Sequence, residues 1–66
     1  MATYRVHLVG SHQAIDVDLP YADLDDLMGE ASRARFIVGH LTTPDEQGVC
    51  RRVMIATGRI QCVIEA

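Results

Sequence analysis

The sequence predicts a small α+β domain in the order β-β-α-β-β-β, a mainly antiparallel curved sheet or small barrel carrying one helix. Three observations predict it. Residues 3–9 and 14–19 alternate polar and apolar side chains with period two. Residues 21–33 change to a period near 3.6. Residues 36–65 return to short apolar runs cut by turn residues. With 66 residues, the chain reads as a single domain over 1–66.

Thr3–Val9 and Ala14–Leu19 form the first hairpin. Tyr4, Val6 and Leu8 share one face of the first strand, and Ile15, Val17 and Leu19 share one face of the second. A tight turn at Ser11-His12 sets Leu8 opposite Ile15, Val6 opposite Val17 and Tyr4 opposite Leu19. On the other face it sets His7 against Asp16 and Arg5 against Asp18. Each cross-strand pair of this kind contributes roughly 0.2–1 kcal/mol.

Pro20 ends the second strand, because it cannot donate to a ladder. Leu24, Leu27, Met28 and Ala31 then fall at i, i+3, i+4 and i+7, with Tyr21 a turn earlier, which predicts an amphipathic helix over about 21–33. Asp23, Asp25 and Asp26 near its start and Arg33 and Arg35 near its end complement the helix dipole.

Phe36–Leu41 is apolar on both faces and reads as an interior strand, followed by a polar loop over Pro44–Gly48. Val49–Ala56 and Ile60–Glu65 read as a final hairpin about Thr57-Gly58, with Cys62 opposite Val53 and Cys50 opposite Glu65. Both strands carry apolar residues on both faces, yet the chain brings a single helix to cover one of them. A domain this small buries only about 60% of its unfolded surface. Burial of the second face on another subunit follows as an expectation. The predicted partner is a second copy, in a dimer or small ring through the final hairpin, with Met54, Ala56 and Val63 as the self-association residues. A different protein partner would serve the same surface.

Apolar residues at 48% and charged residues at 23% exclude a disordered chain. No apolar run approaches the ~20 residues of a membrane span, and the alternating start lacks the features of a signal peptide. The expected location is the cytoplasm, with no membrane partner. The net charge of −3 gives nucleic acid no global field to follow. Residues 1–30 hold one Arg and six acids, and residues 31–66 five Arg and three acids, so the chain is polarised. All six basic residues are Arg, and Lys and Asn are missing together. Both missing residues have AT-rich codons, which points to a GC-rich bacterial genome more than to phosphate recognition.

His7, His12, His40, Cys50 and Cys62 include the usual zinc-ligand types, but none stands in a CxxC, HxxxH or HExxH spacing. His7 reads as the partner of Asp16, His12 as a turn residue, His40 as a satisfied structural histidine, and the two cysteines as buried, unbridged thiols. The acids from Asp16 to Glu30 read as a solvated hairpin face and a helix first turn, without a calcium loop. No catalytic constellation, metal site or cofactor motif is present, so the chain is read as non-enzymatic. Arg51, Arg52 and Arg59 are the candidate contacts for an anion or for nucleic acid. Because no aromatic is interleaved with them, RNA or DNA binding stands as the alternative function behind an interaction or regulatory module.

The run Val53-Met-Ile-Ala-Thr-Gly-Arg-Ile-Gln-Cys-Val-Ile-Glu65 resembles the ending of Sm-like and SH3-like small barrels, two apolar strands joined by a tight turn. The resemblance covers thirteen residues. It implies assembly through strand edges, with RNA or protein as binding partner, and transfers no binding residue.

Overall fold

The computed structural model describes residues 2–66. Its elements are β1 (Ala2–Leu8), β2 (Ile15–Leu19), α1 (Leu24–Ala31), β3 (Phe36–Leu41), β4 (Arg52–Ala56), a 3₁₀ turn (Thr57–Arg59) and β5 (Ile60–Glu65). All five strands form one antiparallel sheet in the order β4-β3-β2-β1-β5. The β-β-α-β-β-β order and the curled antiparallel sheet match the expected α+β class.

The curl follows from chain length. In a flat five-stranded sheet the outer strands lie four spacings apart, about 19 Å. The four peptide steps from Ala56 to Ile60 reach at most about 14 Å. β4 and β5 are those outer strands, so the sheet bends into a half-barrel that brings their linked ends together.

The inner face carries the core. Tyr4, Val6, Val17, Leu19, Leu27, Ile37 and Ile55 are buried, with Ala2, Leu8, Ile15, Tyr21, Leu41, Val53, Ile60 and Val63 packed around them. Tyr4 adds a polar anchor, its hydroxyl donating to the Tyr21 carbonyl at 3.0 Å. No helix among the described residues is long and apolar enough to cross a membrane.

Three expectations are corrected. The first hairpin keeps its faces but pairs two residues away from the expected register: Ala2 lies opposite Leu19, Tyr4 opposite Val17 and Val6 opposite Ile15. The connection is six residues, Val9–Ala14, opened by a turn in which Ser11 N–H bonds the Leu8 carbonyl and Gly10 takes φ +83°. A two-residue shift preserves every side chain's face, so alternation alone does not choose between the registers. Arg5 consequently meets Asp16, and Thr3 donates to Asp18.

The final hairpin does not form. β4 pairs with β3, β5 pairs with β1, and the two stand at opposite edges. Cys62 lies opposite His7 and not Val53. β5 pairs with β1 on the side away from β2, so both edges of β1 are paired. The helix is also shorter than 21–33. Asp23 caps it, accepting from Asp26 N–H at 2.9 Å, and no basic residue falls in its last turn. Arg33 lies beyond the helix end and reaches back to Glu30 at 3.3 Å.

Candidate functional site

Because the sheet is open, each edge strand presents unpaired peptide groups, and the ladders identify which. Leu41 N–H bonds the Arg51 carbonyl at 2.9 Å, and Thr57 N–H bonds the Arg35 carbonyl at 2.8 Å. The odd residues of β4 therefore turn toward β3, leaving the peptide groups of Arg52, Met54 and Ala56 at the free edge. On the other side Ala66 N–H bonds the Thr3 carbonyl at 3.1 Å. From Cys62 onward the even residues of β5 thus face β1, leaving Val63 and Glu65 at the free edge, whereas before the register shift opposite His7 and Leu8 the phase is reversed and the Arg59 carbonyl accepts from Val9 N–H. Natural edges are blunted by Lys, Pro or a covering element. β4 and β5 contain neither residue, and what blunts them is Arg52 at the start of β4, Glu65 at the end of β5 and the register shift of β5 opposite His7 and Leu8.

The side chains along these edges are apolar and wet. On the outer face Met54 is 64% exposed, next to Val38 at 40% and Phe36 at 51%. Ile64, at the far edge of the same face, is 51% exposed. Between them the outer face is polar, with Arg5 and Asp16 paired at 3.0 Å and Asp18, His7 and His40 alongside. Of the three expected self-association residues, Met54 and Ala56 sit together on the outer face of β4. Val63 sits at the opposite edge on the inner face, so a single chain does not bring the three together.

On the inner side, between α1 and β5, a groove of about 430 Å³ is lined by Leu24, Leu27, Met28 and Ala31 of the helix and by Ile60 and Val63 of the sheet. The helical spacing of Leu24 and Met28 predicts a core stripe. The structure buries only Leu27 fully and leaves Met28 at 63% exposure. The groove was not readable from the sequence, because the β1–β5 pairing that forms its wall joins residues far apart in the chain. Burial first, and then the charges of Glu65, Asp23 and Asp26, push the Tyr4 hydroxyl up from its ordinary pKa.

The arginines do not gather. Arg51 is held in the loop over 45–51, donating to Asp45 at 2.6 Å and to Gln47 at 3.1 Å. Asp45 in turn accepts from the Gln47 and Val49 N–H groups, so that one carboxylate organises the whole loop. Its pKa is lowered, chiefly by the Val49 N–H and then by Arg51. Arg52 points outward from the start of β4 opposite His40 and makes no ion pair among the described residues. Arg59 is exposed in the 3₁₀ turn at the far end of β4, with roughly 13 Å of strand between them.

His40 is half-buried between Asp18 and Arg52 in the ladder, and His12 is exposed in the first connection. Both cysteines are free, as expected, but exposed instead of buried. Cys62 is on the edge strand, and Cys50 is in the loop with its thiol 3.9 Å from the Thr42 carbonyl. No cluster of three His, Cys, Asp or Glu side chains suited to a metal occurs among the described residues.

Compared with known proteins, the chain matches no family model, no curated protein and no solved structure.

Proposed function

We propose that this protein is a small, non-enzymatic cytoplasmic module that works by associating with itself through the open edges of its half-barrel. One observation carries the reading. Both edge strands offer unpaired peptide groups, and the exposed apolar side chains of Met54 and Ile64 lie along them. Strand edges of this kind are templates for another chain, and apolar exposure beside them supplies the driving force. The free, exposed thiols of Cys50 and Cys62 support a reducing compartment.

The forced curl and the short link between the outer strands support a small barrel of Sm-like or SH3-like kind. The alternative, RNA or DNA binding through Arg51, Arg52 and Arg59, has less support, because Arg51 is neutralised by Asp45 and β4 holds Arg52 and Arg59 apart.

Sedimentation velocity over micromolar to tens-of-micromolar protein tests the proposal. A concentration-dependent species larger than one chain is the expected result. A compact monomer throughout, or tight salt-sensitive binding to RNA by the monomer, overturns it.

A further inference from the structure

Nothing inside the chain calls for a glycine at position 29. Gly29 lies within α1, where it weakens the helix relative to alanine, and a Cβ on it would meet nothing within 4 Å. Beside it Met28 is 63% exposed and Leu24 37%. Leu24, Met28 and Ser32 make one i,i+4 row on this side of the helix, and Asp25 and Gly29 make the next. A protruding methionine next to a position without a side chain is a knob next to a hole, the relief on which two helices close.

Charge runs along the same element. Asp23, Asp25 and Asp26 open the helix, and Arg33 and Arg35 follow its end. Arg35 makes no ion pair among the described residues, and Arg33 holds only Glu30, at 3.3 Å on the exposed surface. An antiparallel copy of the helix matches this order, with acids against arginines at both ends and the two helix dipoles opposed. The two-fold register that sets Met28 over Gly29 of the other copy also sets Asp25 beside Ser32 and Arg33 of that copy. Sliding by one turn puts Met28 against Asp25, or carries it past the helix end at Ala31. Space and charge thus select the same register.

We infer that two copies of this chain pack α1 against α1, antiparallel about a two-fold axis, with each Met28 seated on Gly29 of the other copy. Leu24 and Met28 also line the groove beside β5, so the second copy covers that groove as well. The contact is the same patch on both chains and closes at two. It leaves the strand edges free, so it goes beyond the edge association proposed above and does not rest on it. A helix of eight residues is about 12 Å long, which places the contact among the small, weak interfaces.

Sedimentation velocity up to roughly 1 mM protein, a range that captures weak contacts, reads the dimer. M54K/I64K, which blocks both strand edges, should still form a species of two chains and no more. Gly29→Leu fits the open space of the single chain and favours the helix, so its melting temperature should not fall, yet the added side chain holds the two helices apart. Placed in the M54K/I64K chain, G29L or M28K should weaken the dimer by about tenfold or more. D25R should weaken it several-fold, and D25R/R33D in one chain should recover it. Circular dichroism checks that each variant folds. Unchanged association in G29L and M28K overturns the inference, as does a double charge variant that recovers nothing. A monomeric M54K/I64K beside an assembling wild type also overturns it and leaves the edge reading standing. A wild type no larger than two chains, lost in G29L and M28K but kept in M54K/I64K, upholds the helix contact and removes the edge reading. A monomeric wild type overturns both.

Discussion

Leu19 lies across Gly39, so that its Cδ2 fills the space a Cβ on residue 39 would take, with the Asp18 carbonyl closing the same space from the side. This contact sits where β2 crosses onto β3, a join of only two paired positions, Val17 with Leu41 and Asp18 with His40. Here the buried inner position of β3 carries no side chain, and the neighbouring Leu fills the gap.

Gly39→Ala should therefore destabilise the fold by about 1–3 kcal/mol through overpacking. In a domain of this size each kcal/mol moves the melting temperature by roughly 4–8 °C. Thermal melts followed by circular dichroism check this, and an unchanged Tm would show that Leu19 and the strand crossing relax freely.

Tyr4→Phe removes the hydroxyl that donates to Tyr21 and leaves that carbonyl without its donor. The expected cost is about 1 kcal/mol, read from urea unfolding. The hydroxyl's raised pKa, caused by burial and then by Glu65, Asp23 and Asp26, gives the effect a sign with pH. Its stabilisation is complete below the unfolded tyrosine value near 10 and is lost as pH rises through the folded value. The variant should show a shallower alkaline decline than wild type.

Acid acts oppositely through Asp45 and Asp16. The Val49 N–H and Arg51 hold Asp45 below the usual carboxylate pKa, and Arg5 holds Asp16 below it. A lowered folded pKa means stability that is complete above the unfolded value near 3.9 and lost as pH falls through the folded one. Stability should drop below about pH 4, and Asp45→Asn, which cannot titrate, should flatten that limb in melts across the acid range.

Asp23→Ala deletes the helix cap that accepts from Asp26 N–H. A loss of about 1 kcal/mol is expected, with hydrogen exchange speeding first in the opening turn of α1. Uniform exchange across α1, with no faster first turn, would show that the cap contributes nothing local.

The sequence makes some of this plain and hides the rest. Alternation in Tyr4-Val6 and Val17-Leu19 reveals the inner face, while Gly10, at φ +83°, lengthens the connection and moves the register by two. The 3.6 period of Leu24, Leu27 and Met28 reveals the helix, and the Asp23 cap, by starting it late, shortens it. Met54 and Ala56 are legible as surplus apolar positions. The groove beside Val63 is not, because its two walls come from α1, which ends at Ala31, and from β5, which begins only at Ile60.

The amino-acid pattern by itself determined which segments become strand or helix and which side of each is greasy, since both follow from local periodicity and turn chemistry. Tertiary structure alone decided that β5 leaves β4 and crosses to β1, and hence that two edges stay open. Strand pairing is a contest among distant segments, won here by burying both flanks of β1 within the reach of a three-residue link.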